Sequence, residues 1–312
     1  MIAITGYSGF VGRHLLANLS EYECLLLGRN DTDDGHRFCE FDLNAINKAV
    51  LFESLKSVKT VIHLAARVHV MNGSASKTLH EFKTMNTKAT LEIATQAAAA
   101  GAKRFIFLSS IKVNGERTSN NRPFCAQDKP APEDAYAISK AEAEDQLIEL
   151  GKQTGLEIVI IRAPLVYGEG VKANFASLMK LVARGLPLPF GLIKYNQRSL
   201  VSVYNLINLI TLCIEHPKAV NQVFLVSDDS DLSTAQMVSL MARAQGKRSL
   251  ALPVPQWCFA LVGKLINKND LVERLTGSLQ VDISHTKNTL DWKPPHTVEE
   301  GFSLAAKQRV GS

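Results

Sequence analysis

The chain has 312 residues, a net charge of +5 and five cysteines, with no long basic run. That length buries a large core, and the charge is too thinly spread to suggest a nucleic-acid partner. Cys24, Cys39, Cys125, Cys213 and Cys258 are scattered and lack CxxC or Cys/His spacing, which argues against a metal site or disulfide framework and suits a reducing cytoplasm.

The first expected element is a strand at Ile2-Ala3-Ile4, so this reading leaves no leader segment. It runs into Thr5-Gly6-Tyr7-Ser8-Gly9-Phe10-Val11-Gly12 and then a helix through Arg13-His14-Leu15-Leu16. Strand, glycine turn and helix start bring a phosphate onto unpaired backbone N–H groups at the positive end of a helix. The glycines permit a tight turn and close backbone approach to a pyrophosphate. A second strand, Cys24 to Leu27, ends in Gly28-Arg29-Asn30. A carboxylate about twenty residues after the first glycine ordinarily holds the adenosine ribose hydroxyls. Here it is replaced by Arg29, which suits a ribose 2′-phosphate, and Arg13 is near enough in sequence to share it. This favours NADP(H), with NAD the alternative. Asp42, with Leu43 beside it, follows Cys39-Glu40-Phe41 and is placed to accept from an adenine amino group.

Further buried strands are expected at Thr60 to Leu64, Arg104 to Leu108 and Ile158 to Ile161. Helices are expected between them over Lys77 to Ala100 and Ala137 to Leu150, the second capped by Gly151. The alternation implies right-handed βαβ units, hence an α/β fold with a Rossmann-type doubly wound parallel sheet. A dinucleotide-binding domain is expected over 1–168. A smaller mixed α/β lobe follows over 169–312, although Leu200 to Val203 and Val223 to Val226 have the pattern to return to the sheet. Met71-Asn72-Gly73-Ser74 reads as a loop near the ligand, and His63 as a packed core residue. The apolar run Trp257 to Gly263 is too short to span a bilayer, and suits a core, a substrate pocket or a membrane surface.

Tyr136-Ala137-Ile138-Ser139-Lys140 puts a phenol and an ammonium one helical turn apart on one face. A free phenol titrates near ~10, too high for efficient proton transfer near neutrality, and an adjacent cation should lower that value.

With these motifs in place, nearly the whole chain resembles the extended short-chain dehydrogenase/reductase family of nucleotide-sugar epimerases, dehydratases and reductases. The likeness rests on the glycine loop, His63-Leu64-Ala65-Ala66, Asn86, Phe107-Leu108-Ser109-Ser110, Tyr136 to Lys140, and Arg162-Ala163-Pro164-Leu165-Val166-Tyr167-Gly168. It implies Tyr136 as general acid/base, Lys140 as its electrostatic partner and Ser110 as the hydroxyl on the reacting oxygen. It places Leu64, Ala65, Ala66 and Asn86 beside the cofactor, with Pro164 and Val166 near the nicotinamide. Asn174, Arg198 and, more loosely, Arg274 fall where the family binds the nucleotide diphosphate; Lys112 is a further candidate for the sugar.

Family dehydratases carry an Asp-Glu pair where this chain has Ile111-Lys112, which excludes 4,6-dehydration. Gly28-Arg29 favours a reductase that exchanges NADPH, and Ser109 to Gly115 together with Gly170 to Phe175 resembles the bacterial UDP-2-acetamido-2,6-dideoxy-hexulose 4-reductases. The expectation is therefore NADPH-dependent reduction of a 4-keto group on a UDP-linked 6-deoxy sugar for surface polysaccharide. The alternatives are a UDP-hexose 4-epimerase with bound NAD, a non-catalytic NADP sensor, and a ketoreductase of flavonoid- or steroid-like substrates. The family often dimerises through a four-helix bundle, for which Leu91 to Ala102 and Ala137 to Leu150 offer surfaces. No metal and no transmembrane segment are expected.

Overall fold

Apolar runs with no polar alternation need cover on both faces, and the runs beginning at Ile2, Cys24, Thr60, Arg104 and Glu157 are buried at nearly every position. The computed structural model describes residues 1–32, 35–68, 75–119, 122–265 and 269–307, without the side chains of 75, 173, 174, 262 and 269–271. The strands are β1 (Ile2–Thr5), β2 (Cys24–Gly28), β3 (Arg37–Glu40), β4 (Thr60–His63), β5 (Arg104–Ser110), β6 (Glu157–Ala163), β7 (Leu165–Tyr167), β8 (Leu200–Ser202) and β9 (Gln222–Leu225). Seven of them form one sheet in the order β3-β2-β1-β4-β5-β6-β9, parallel throughout. Ile2, Ile4, Leu26, Ile62, Ile106, Val159 and Ile161 point to one face. Their neighbours Ala3, Leu25, Leu27, Val61, Phe105, Phe107, Ile158 and Ile160 point to the other.

The first face packs on α1 (Phe10–Asn18). The second is covered by α2 (Lys48–Leu55), by a helix made of α3 (Ala75–Phe82), a π-helical stretch (Lys83–Lys88) and α4 (Ala89–Ala99), and by α5 (Ala135–Thr154). Beyond the sheet come α6 (Ala173–Ala183), α7 (Val203–Glu215), α8 (Thr234–Ala244), α9 (Gln256–Leu265), α10 (Asn269–Thr276), α11 (Ser284–Leu290) and α12 (Val298–Ala306). Helix α7 returns to the first face beside α1. A separate core around Tyr167, Phe175, Met237 and Phe302 joins α6, α8 and α12. Strands β7 and β8 pair apart from the main sheet, while β9 rejoins it next to β6.

Two local expectations need correction. Gly151 does not cap α5, which continues to Thr154 and ends at Gly155 with φ +79°. Gly151 is small for packing: a Cβ there would meet Ile158 Cγ1 at 2.8 Å and Leu156 O at 2.9 Å. The helix expected over Lys77 to Ala100 is also not uniform, because the π-helical stretch shifts its register before α4. Asn86, on that stretch, is fully buried. It donates to Arg67 O at 3.0 Å and Ser139 Oγ at 3.1 Å, and accepts from Arg67 N at 2.8 Å.

Candidate active site

The order β3-β2-β1-β4-β5-β6 reverses direction between β1 and β4, and a crevice at the carboxyl ends is the expected ligand site. The glycine loop lies there. Gly6 adopts φ +73°, and a Cβ on it would lie 2.6 Å from Ala65 N. A Cβ on Gly12 would lie 2.1 Å from Gly6 O, so the helix can enter this closely only without a side chain. Ser8, Gly9, Phe10 and Val11 form the turn and first helical residues, and Leu64 to Ala66 follow β4 directly across the crevice. Ala65 N donates to Thr5 Oγ1 at 3.3 Å, tying the two strand ends together.

At the end of β2, the ring of buried Tyr7 occupies the space where Gly28 would carry a side chain, and its hydroxyl donates to Asn30 O. Arg29 is exposed. Arg13, also exposed, lines a cavity of about 990 Å³ between α1 and α6 with His14, Glu169 and Lys172. The walls of that cavity hold none of Ser110, Tyr136 or Lys140. Asp42 turns its carboxylate back to accept from Asn44 N at 2.9 Å, with Leu43 between them.

Strand β5 carries Ser110 to the same crevice, and α5 brings Tyr136 and Lys140 on its first turns. Asp134 caps α5 by accepting from Ala137 N at 2.7 Å. The Ser110 hydroxyl, which accepts from Lys112 N at 3.3 Å, lies near enough to the Tyr136 phenol to favour its ionised form, and the Tyr136 ring packs edge-on to Phe82 at 6.0 Å. Lys140 is buried, donates to Leu108 O at 2.9 Å and sits 4.3 Å above the Phe107 ring.

The charge balance differs from the expectation that Lys140 would lower the phenol. Burial, reinforced by Asp134, pushes Tyr136 up to about 12, against the hydrogen bond from Ser110. Burial brings Lys140 down to about 7, and the carboxylate of Glu144 opposes that fall. Behind Lys140, His63 is held neutral, down to about 3, by burial and by the Lys140 charge. Its ring bridges Thr5 Oγ1 at 2.7 Å and Thr90 Oγ1 at 2.9 Å, a packed core role.

Glu144 was not among the expected site residues, although it continues the Tyr136–Lys140 spacing by one more turn. It is 2% exposed and pairs with Arg162, 5% exposed, through bonds of 3.0, 3.1 and 2.5 Å. Ser109 donates to the same carboxylate, and Arg162 also donates to Asn114 Oδ1 at 3.0 Å. Lys112 is held by Asp134 at 2.5 Å and Glu116 at 2.7 Å. Burial opposes its charge, but these hydrogen bonds outweigh it and raise its pKa.

In the C-terminal part, Arg198 is anchored by backbone pairing with Leu232 and donates to Gly277 O at 3.2 Å. Burial, and then the charge of Arg274 on α10, lowers its pKa, so the two guanidinium groups face the same region. Asn174 is the second residue of α6, with its side chain outside the described residues. The expected loop at Met71 to Ser74 is outside them as well. Pro164 and Val166 flank the exit of β6 beside the crevice. Among the described residues, no cluster of potential metal ligands occurs, and no helix is long and apolar enough to cross a membrane.

The NAD dependent epimerase/dehydratase family model matches residues 2–227. The chain belongs to that family. As such it is an NAD-dependent enzyme of the extended short-chain dehydrogenase/reductase type. It is 53% identical over 311 residues to a UDP-glucose 4-epimerase of Vibrio cholerae, covering 98% of this chain and 94% of that protein. It is 25% identical to the N-acetyl-alpha-D-glucosaminyl-diphospho-ditrans,octacis-undecaprenol 4-epimerase of Escherichia coli O157:H7, covering 96% and 92%. Among solved structures, MoeE5 in complex with UDP-glucose and NAD superposes with a TM-score of 0.77 at 22% identity, covering 98% of this chain and 97% of that one. UDP-glucose 4-epimerase of Thermotoga maritima, bound to UDP-glucose, gives 0.76 at 20% identity over 98% and 97%. These structures establish the fold.

The near full-length relative overturns the expectation of an NADPH-dependent 4-keto reductase. That expectation leaned on Arg29 and on Lys112 to Gly115. Arg29 is an exposed side chain, and Lys112 is occupied by Asp134 and Glu116. Lys112 instead props the site locally, its backbone N donating to Ser110 Oγ at 3.3 Å.

Proposed function

We propose that the chain interconverts UDP-hexoses at C4, as a UDP-glucose 4-epimerase retaining NAD in the crevice between β1 and β4. The observation that carries this reading is the 53% identity to a UDP-glucose 4-epimerase over 98% of the chain. The side-chain-free cradle at Gly6 and Gly12 fits a dinucleotide pyrophosphate. In this reading residues Gly6 to Arg13 hold the pyrophosphate, Asp42 and Leu43 the adenine, and Leu64 to Ala66 with Lys140 the nicotinamide ribose. Pro164 and Val166 border the nicotinamide. NAD is favoured over NADP because a cofactor kept through the cycle has no need of a reducing pool, and MoeE5 is a fold neighbour with NAD bound.

Bound nicotinamide supplies reversible hydride acceptance at the sugar C4. Tyr136 Oη removes the C4 hydroxyl proton and later returns it, while Ser110 Oγ hydrogen-bonds the same oxygen. Burial and Asp134 hold the phenol near 12 in the free chain, and the role assigned here to a Lys140 cation is to favour the phenolate once the cleft is occupied. Glu144, one turn on, sustains that cation against its burial. Arg198 and Arg274 supply positive charge for the diphosphate, with Asn174 as a further contact.

The test is conversion of UDP-galactose to UDP-glucose, and the reverse, by the purified chain. Tyr136→Phe should slow it by about 10²–10⁴-fold with dinucleotide binding retained. Unchanged turnover in that variant removes Tyr136 from the chemistry. Dimerisation through α4 and α5, where Ile148 is 38% exposed, is part of the proposal. Light scattering should then give about twice 34.2 kDa.

A further inference from the structure

Helix α9 presents Trp257, Leu261 and Leu265 on one stripe at 68%, 53% and 77% exposure. Its opposite side is anchored, with Phe259 stacked on Phe190 at 6.0 Å. Backbone bonds from Leu188 N to Leu250 O and from Gly191 N to Leu252 O bring a second segment alongside. Those paired segments, joined to α9 through Phe190, carry exposed Leu186, Leu192, Leu250 and Leu252, and Tyr195 stands 88% exposed nearby in sequence.

The charges on the two segments that form this apolar surface have one sign. Residues 170–214 and 232–269 contain no Asp or Glu. They supply exposed Arg184, Lys194, Lys247, Arg248 and Lys264, the last flanking the Trp257 stripe seven residues on. A protruding Trp/Leu face bordered by cations is the pattern of a helix lying in a lipid headgroup region. A ten-residue helix spans about 15 Å, half a bilayer core, so it lies on a membrane rather than across it.

We propose that this face docks the protein onto anionic phospholipid bilayers, with α9 in the interface and the flanking cations on the headgroups. Charge complementarity favours it: segments with exposed cations and no acidic residue meet a negative surface, Glu273 on adjoining α10 is paired with Arg117, and each basic residue near such a surface raises partition about fivefold. Because α9 packs on α10, which carries Arg274, the docked face adjoins the cleft region.

The unmodified chain carries its own probe. It has two tryptophans, and Trp292 is 4% exposed with its N–H donated to Asn208, so an emission change on binding reports Trp257. Vesicles of phosphatidylcholine alone are compared with equimolar phosphatidylcholine and phosphatidylglycerol. The expected result is co-sedimentation and blue-shifted emission with the anionic vesicles, weakened by high salt. The exposed-site variants Leu261→Glu/Leu265→Glu and Lys247→Glu/Arg248→Glu should each bind about tenfold or more weakly. Absence of both sedimentation and a blue shift with the unmodified chain overturns the proposal. So does equal binding by the variants, or a dimer in solution that the Leu261→Glu/Leu265→Glu variant dissociates, since a second copy would then cover the face.

Discussion

Replacing Glu144 by Gln removes one negative charge from a site closed to water. Glu144 and Arg162 are 2% and 5% exposed, and the carboxylate takes three contacts from the guanidinium, at 2.5 to 3.1 Å, besides the Ser109 hydroxyl. An amide of the same shape keeps one acceptor but turns an NH₂ toward guanidinium donors, leaving a buried cation uncompensated. Breaking a buried pair from one side costs about 3–5 kcal/mol, a large share of the about 5–15 kcal/mol that holds a domain together. Urea unfolding followed by far-UV circular dichroism measures the loss. The double change Glu144→Leu/Arg162→Met, which removes both charges, should cost less than Glu144→Gln alone. A loss below about 1 kcal/mol for Glu144→Gln, or a double variant weaker than the single, would refute the reasoning.

The same substitution lowers Lys140 further, because Glu144 is what opposes burial there. Lys140 titrates near ~10.4 in an unfolded chain and about 7 in the fold, so between those values the unfolded chain holds a proton that the folded chain has released. The cost of burying Lys140 is therefore full below pH 7 and falls as pH rises through that window. A Lys140→Met variant should remove this rise in stability between neutrality and ~10.4.

Asp134→Asn keeps an N-cap for α5 but removes a charge that raises the Tyr136 phenol, so the acid limb of the pH–rate profile should move to lower pH. Movement to higher pH contradicts the assignment. Arg198→Glu should weaken UDP competition by about 10–100-fold, from the loss of charge-assisted bonds, with the fold checked by circular dichroism. Gly151→Ala should destabilise by about 1–3 kcal/mol through overpacking against Ile158 and Leu156, although helix propensity alone predicts a gain of about 1 kcal/mol; thermal melting distinguishes them.

What could be read in advance followed from local pattern. Continuous apolar runs implied a doubly covered sheet, and the glycine loop and Tyr136–Lys140 spacing pointed to the crevice where Ser110 lies near the Tyr136 phenol. What escaped depended on distant partners. Gly151 reads as a cap until β6 packs on it, and the Glu144–Arg162 pair joins a helix to a strand with no shared motif. The pressure on Lys140 comes from complete burial, which a YxxxK spacing does not express. The reaction was misread for a related reason. The expected reduction leaned on Arg29 and Lys112, and neither the exposure of the first nor the ion pairs of the second is expressed by the local motif.

The central claim is that one sugar loses and regains its C4 hydrogen within this cleft. UDP-galactose carrying deuterium at C4 tests it most directly, with the product analysed by NMR. The account predicts UDP-glucose with the deuterium retained at C4. UDP-glucose carrying a solvent proton at C4, or no UDP-glucose at all from a folded, dinucleotide-bound chain, would contradict it.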